Sequence, residues 1–132
     1  MYRKKTISNK LLNIHKQLKL KFGRFTRELP EQEAIAKLLP SNAKVLEFGG
    51  NIGRASLVIN YLLEKKYKGN HLVIESDFLI ANKLKINKVI NNAKFKIYNG
   101  AISKVPLIQR GWITKACTNN KEKGWKDIPY IT

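Results

Sequence analysis

The stretch VLEFGGNIGRAS, residues 45–56, places a short apolar run directly before three glycines and the start of a helical pattern. Gly49, Gly50 and Gly53 permit backbone conformations that other residues avoid, and they let a ligand approach the main chain closely. In an open parallel sheet, ligands bind where the strands end, because loops and helix N-termini converge there. The stretch therefore predicts a ligand-binding corner at the end of a strand.

The 132 residues predict one compact unit, with a helical lead-in over 1–40 and a single sheet-containing domain over 41–132. The apolar runs are far shorter than a membrane span, and the N-terminus MYRKKTISNK lacks the apolar region of a signal peptide. We therefore expect a cytoplasmic protein that does not contact a membrane. Cys117 is the single cysteine, and His15 and His71 lie far apart, so we expect neither a disulfide framework nor a metal site.

The formal net charge of +17 has two interpretations. A strongly basic chain is typical of proteins that bind nucleic acid or another acidic partner. However, Lys, Ile and Asn, which have A/T-rich codons, make up 49 of the 132 residues, and the lysines are spread along the chain. A biased genome places lysines on solvated faces without any phosphate partner, and the sequence leaves both interpretations open.

Two N-terminal helices are expected from the periodicity of apolar residues. A stripe that runs from Ile7 to Phe22 recurs every three to four residues and predicts one amphipathic helix. The segment ELPEQEAIAKLLP, residues 28–40, predicts a second helix, with a proline in its first turn and another at its stop. Ile35, Leu38 and Leu39 of this helix are expected to face the core.

Strand and helix patterns alternate over residues 43–103. Short apolar runs predict strands at AKVLEFGG, HLVIE and AKFKIYNGAIS, the first of them fully buried. Helices are expected from Arg54 to Lys66 and, capped by Asp77, to Asn91. The fold class is therefore α/β and Rossmann-like, with a parallel β-α-β-α-β core preceded by helices. Beyond Ile102 we expect a loop with at most one short element, and the start of a strand at IPYIT.

The spacing of the glycines excludes two nucleotide-binding motifs. A dinucleotide fingerprint that starts at Gly49 needs glycine at positions 51 and 54, where Asn51 and Arg54 stand. No stretch matches a P-loop. The sequence instead has the pattern acid-x-Gly-x-x-x-Gly from Glu47, and a second acid, Glu75, ends the next predicted strand.

This arrangement resembles the S-adenosylmethionine site of class I methyltransferases. The motifs VLEFGGNIGRASLVI, HLVIESD, NGAISK, LIQRGW and a tryptophan followed by IPYIT are similar, in this order, to the FkbM family of methyltransferases, especially its virus-encoded members. The similarity spans about residues 28–132. It implies S-adenosyl-L-methionine as cofactor and methyl transfer to an oxygen of a sugar or related small molecule. By position, the resemblance implies cofactor contacts at Glu47, Gly49, Gly50, Asn51, Gly53, Glu75, Ser76 and Ala101.

The resemblance also implies an incomplete domain. Proteins of that family continue past the final TI strand into an acid-bearing strand, whereas this sequence ends at Thr132. No catalytic base is assigned, and a partner or a second copy of the chain is expected to cover the unfinished sheet edge. The alternative function is a non-catalytic module of the same fold that binds nucleic acid or a protein through its basic surface. A viral member would act in the host cytoplasm.

Overall fold

The computed structural model describes residues 6–64, 69–118 and 122–132. The helices in these ranges are α1 (Asn9–Gln17), α2 (Leu29–Leu38), α3 (Arg54–Leu62) and α4 (Phe78–Ile90). The strands are β1 (Val45–Phe48), β2 (His71–Glu75), β3 (Lys96–Asn99), β4 (Ala101–Ile102), β5 (Leu107–Arg110), β6 (Ile113–Ala116), β7 (Lys126–Ile128) and β8 (Tyr130–Ile131). The predicted end of the third helix at Lys66 lies outside the described residues. None of the described helices is long and apolar enough to cross a bilayer.

The central sheet consists of β1, β2 and β3, which are parallel and lie in this order. Glu47 of β1 is opposite Val73 of β2, and Val73 is opposite Ile97 of β3. The predicted α/β class and the β-α-β-α-β alternation are confirmed. Asp77 caps α4 as expected, because its Oδ1 accepts a hydrogen bond from the Ile80 backbone N–H at 3.0 Å.

Helices α3 and α4 pack on the same face of this sheet. Leu57 of α3 and Leu84 of α4 form one buried cluster with Val73 and Phe95. The opposite face carries Leu46 and Phe48 of β1, whose side chains are 52% and 63% exposed. The expectation that β1 is fully buried is therefore wrong, because consecutive crossovers in one direction along the sheet place both helices on one side. Among the described strands, β1 is paired on one side only.

The lead-in helix ends earlier than its apolar stripe predicts. Helix α1 stops at Gln17, and residues 18–28 continue as an irregular segment that we call the strap. Asn91 binds Lys19 with both groups of its side chain, at 2.8 Å to the backbone N–H and 2.7 Å to the carbonyl. Asn87, one turn earlier in α4, binds the backbone of Lys21 and Phe22 in the same way. These side-chain amides satisfy the strap backbone, which therefore does not need helical hydrogen bonds.

The inward face of α2 also differs from the prediction. Leu38 is 72% exposed, whereas Gln32 is fully buried. Gln32 Nε2 donates to the carbonyls of Phe25 and Arg27 at 3.0 and 2.7 Å, and its Oε1 lies 2.6 Å from His15 Nε2. Burial of a glutamine is favourable here because its amide is fully used. Gln32 thereby fixes the second half of the strap.

The region after Ile102, expected to be mostly loop, forms further strands. Strands β6, β5 and β7 make an antiparallel sheet in this order, and β4 pairs in parallel with β8. Arg110 is opposite Ile113, so that β5 and β6 are joined by the two-residue turn Gly111–Trp112. Gly111 has φ +57°, a left-handed conformation that suits glycine at a hairpin turn. All four residues of β6 are exposed. The strand therefore lacks the alternation of apolar and polar residues by which a half-buried strand is recognised in a sequence.

Candidate functional site

A cavity of about 880 Å³ lies beside the end of β2 and the loop that follows β1. Its walls come from four regions: the strap with the start of α2, the loop before α3, the end of β2 with the start of α4, and the hairpin β5–β6. The lining residues are Arg27, Glu28, Pro30, Glu31, Asn51, Arg54, Glu75, Ser76, Asp77, Ile80, Gln109, Gly111, Trp112 and Thr114. The cavity therefore lies where the sequence predicts a ligand.

The loop after β1 is a tight turn that returns to the neighbouring strand. The backbone N–H groups of Gly49 and Gly50 both donate to the Ile74 carbonyl, at 2.8 and 3.2 Å. Gly49, Asn51 and Gly53 have positive φ angles of 68°, 51° and 100°. This left-handed path is accessible to glycine and tolerated by asparagine. It directs the Asn51 N–H towards the end of β2.

Glu75 is the acid at the centre of the site. It ends β2, lines the cavity and is only 9% exposed. Its Oε1 accepts a hydrogen bond from the Asn51 N–H and its Oε2 one from the Asp77 N–H, both at 2.9 Å. A carboxylate has about four acceptor positions. Two backbone donors therefore fix the orientation of this side chain and leave acceptor capacity for hydroxyl groups of a ligand.

Glu47 lies on the helix-covered face of the sheet and is not among the cavity-lining residues. Its Oε1 accepts a hydrogen bond from Ser56 Oγ at 2.9 Å, and its Oε2 lies 3.1 Å from Nε2 of the buried His71. The structure thus separates the two strand-end acids. Glu47 connects β1 to α3 and β2, whereas Glu75 faces the cavity.

The other residues that the sequence predicts as cofactor contacts also fall into two groups, those that line the cavity and those that do not. Ser76 lines the cavity together with Asn51 and Glu75, and its Oγ accepts a hydrogen bond from Gln109 Nε2 at 2.9 Å. Gly49, Gly50, Gly53 and Ala101 are not among the lining residues. Ala101 pairs with Tyr130 in the β4–β8 sheet. The loop glycines shape the turn that presents Asn51.

Gly50 and Gly53 pack against the core below the turn. A Cβ on Gly50 would lie 2.2 Å from Val73 Cγ1, and a Cβ on Gly53 would lie 2.7 Å from Leu84 Cδ1. Both distances are far too short for carbon atoms in contact. A Cβ on Gly49 would meet no atom within 4 Å. Close packing on β2 therefore explains Gly50, whereas Gly53 is favoured by its φ of +100° as well as by its contact with Leu84.

Comparison with protein families, curated proteins and solved structures found no match to this chain. The assignment of the site therefore rests on the geometry of its residues and on the sequence motifs.

Sequence reasoning missed the residues that the strap brings to the cavity. Arg54 Nη1 lies 3.6 Å from Glu28 Oε2, and Arg54 Nε donates to the Arg24 carbonyl at 2.7 Å. These contacts hold the strap against the first turn of α3. The positive φ of Glu28, 58°, is a strained conformation for a residue other than glycine, and a sequence carries no direct signal for it.

The cavity concentrates negative charge in a basic protein. Four of the nine acidic residues of the chain line it, namely Glu28, Glu31, Glu75 and Asp77, and two arginines oppose them. Such a site favours ligands that carry positive charge and hydroxyl groups over phosphate-rich ligands. Within the described ranges, no three His, Cys, Asp or Glu side chains are grouped so that they could hold a metal ion.

Proposed function

We propose that this chain is an S-adenosylmethionine-binding methyltransferase domain of FkbM type, which transfers a methyl group to an oxygen of a sugar or related small molecule. The observation that carries the proposal is the Glu75 carboxylate. It is buried at the end of β2, fixed by two backbone N–H groups, and faces a cavity that begins at the turn after β1. An acid at this position suits the two hydroxyls of a ribose.

The residues present fit this cofactor. The cavity volume of about 880 Å³ falls within the range of sites for small molecules and cofactors. The carboxylates of Glu28, Glu31 and Asp77 offset the positive charge of a sulfonium and an ammonium group. Ile80, which also lines the cavity, supplies an apolar surface for a base.

Bound S-adenosylmethionine supplies a methyl group on a cationic sulfur, which leaves as a neutral thioether. Transfer would exchange the bond from sulfur to the methyl carbon for a bond from that carbon to the acceptor oxygen, and the hydroxyl proton would pass to water. The contribution of this chain is positioning. Glu75 orients a ribose through its fixed carboxylate, and the acidic lining keeps a cationic ligand in the cavity.

The test compares the two strand-end acids by titration calorimetry with S-adenosylhomocysteine. The Glu75→Gln variant removes the charge that faces the cavity, and we expect a loss of affinity of at least about tenfold, the effect of one hydrogen bond to a charged group. The matched control, Glu47→Gln, makes the same chemical change on the adjacent strand outside the cavity. It is expected to change the affinity by less than about threefold, which is under 1 kcal/mol.

Two results would contradict the proposal. One is the absence of binding to the unchanged protein. The other is an equal loss in both variants, which would indicate a general effect on the fold. The melting temperatures of all three proteins show whether a variant has lost binding because it is unfolded or because it has lost a contact with the ligand. An Ile80→Trp variant, which fills part of the cavity without altering Glu75, should also abolish binding.

A further inference from the structure

The hairpin β5–β6 carries exposed aromatic and basic residues, of which the tryptophan at its turn borders the cavity. Trp112, at the turn, is 95% exposed and also lines the cavity. Arg110 precedes the turn on β5, and Lys115 follows it on β6. We call these three residues the hairpin patch.

The two cations of the hairpin patch are held in place by a buried tryptophan. The guanidinium carbon of Arg110 lies 4.9 Å from the centre of the Trp125 ring, and Lys115 Nζ lies 4.2 Å from the same centre. Lys115 is opposite Ile108, two residues before Arg110, so both cations are on one face of the hairpin. Gln109 and Thr114, which line the cavity, are on the other face. Contact with an aromatic ring restricts the long side chains, and both residues remain exposed at the surface. The patch therefore presents two positioned positive charges.

An exposed tryptophan next to positioned cations is the combination that binds unpaired bases. Base stacking on an aromatic ring is largely independent of sequence, and neighbouring Lys and Arg residues neutralise the phosphates. A double helix does not offer a free base face to such a ring. Lysines are spread along the whole sequence, but the hairpin patch adds the exposed ring that a merely solvated group of lysines lacks.

We propose that the hairpin patch binds single-stranded nucleic acid, with one base stacked on Trp112 and the adjoining phosphates on Arg110 and Lys115. Trp112 lies at the turn between the two faces of the hairpin and also lines the cavity. A base stacked on it lies at the cavity mouth, while the adjoining phosphates lie on the opposite face with the two cations and away from the acidic lining. The ribose hydroxyl of the stacked nucleotide is the acceptor oxygen of the methyl transfer. This second part rests on the proposed function. It specifies the acceptor as a sugar within a polynucleotide.

Binding is tested by fluorescence anisotropy with a labelled oligouridylate of about twelve nucleotides. The Trp112→Ala variant should weaken binding about tenfold, the effect of losing one stacked base, whereas Trp112→Phe should retain most of the affinity. The double variant Arg110→Ala/Lys115→Ala should reduce the slope of log affinity against log salt by about 1.4, which corresponds to two phosphate contacts on a single strand.

The control double variant removes the same charge from exposed helical positions. Lys37→Ala/Lys85→Ala, on α2 and α4, should leave both the affinity and the salt slope nearly unchanged. An equal effect of the two double variants would overturn the proposal, because binding would then follow net charge alone. The proposal also fails if Trp112→Ala binds as tightly as the unchanged protein, or if a duplex or heparin binds as well as the single strand.

The acceptor is tested by transfer of labelled methyl from S-adenosylmethionine to oligouridylate and, as a comparison, to oligothymidylate made of deoxyribose. Label in the ribose polymer alone is expected. Absence of transfer when both molecules bind would refute the acceptor assignment. If the strand binds at the hairpin patch but S-adenosylhomocysteine does not bind, the proposed enzyme function fails and a nucleic-acid-binding module remains. The Arg110→Ala/Lys115→Ala variant should still bind S-adenosylhomocysteine, since neither side chain lines the cavity.

Discussion

Replacement of Asn87 by alanine should destabilise the protein more than its position on a surface helix suggests. The side chain is fully buried and makes four hydrogen bonds. Its Oδ1 accepts from the N–H groups of Lys21 and Phe22, and its Nδ2 donates to the carbonyls of Phe22 and Ile52. A hydrogen bond of this kind contributes about 1 kcal/mol net, so the variant should lose about 4 kcal/mol of the free energy of unfolding.

Thermal unfolding followed by circular dichroism measures this loss. A chain of this length has an unfolding entropy of about 0.28 kcal/mol/K, so a loss of 4 kcal/mol lowers the melting temperature by about 14 °C. Asn13→Ala, at an exposed position of α1, is the control and should change the stability by less than about 0.5 kcal/mol.

A fall of less than about 4 °C for Asn87→Ala, or a fall no larger than that of Asn13→Ala, would refute this reasoning. It would mean that the strap is held by its other contacts and that the amide of Asn87 is replaceable by water. Trypsin provides a second measurement, because Lys21 and Arg24 lie in the strap. Cleavage at these residues should become faster in the variant if the strap detaches from α4.

Two further predictions concern the glycine turn and α1. Gly50→Ala should lower the free energy of unfolding by about 2–3 kcal/mol, because its Cβ would overlap Val73. The Cβ of Gly49→Ala meets no atom, so this variant should lose only the roughly 1–2 kcal/mol that a left-handed backbone costs. Similar melting temperatures of the two variants would contradict this. Hydrogen bonds from the Ser8 N–H and Oγ hold the pKa of Glu33 below its usual 4.5. The ionised carboxylate therefore stabilises the fold fully at pH values above 4.5, and this stabilisation disappears as the pH falls through the lowered pKa. Glu33→Gln should lower the melting temperature slightly near pH 7, and the difference should shrink as the pH falls below 4.5; a difference that is constant with pH would exclude this role.

The parts of the fold that depend on local signals could be predicted from the sequence. The apolar runs at 45–48 and 71–75 are strands, and Asp77 caps the following helix through its own side chain. Glu75 could be placed at the site because a strand-end acid in a parallel sheet lies at the ligand-binding edge by topology alone.

The strap could not be predicted, because its conformation depends on contacts between residues far apart in sequence. Asn87 binds Lys21 across 66 positions, and an asparagine on a helix carries no mark of such a partner. The apolar stripe through Phe22 instead predicts a longer helix. Glu47 illustrates a related limit. It lies inside β1, one residue before the strand ends, opposite Val73, where Ser56 and His71 bind its carboxylate.

The side of β1 on which none of the described strands pairs has a consequence for the behaviour of the protein at high concentration. An open strand edge bordered by the exposed side chains of Leu46 and Phe48 is a template on which another molecule can add a strand. The large positive charge opposes this addition between copies, since two molecules with a net charge of +17 repel each other. Added salt shortens the range of that repulsion. The lysines that surround the fold thus also act as a colloidal barrier, and the protein should stay dispersed at low ionic strength and aggregate as the ionic strength is raised.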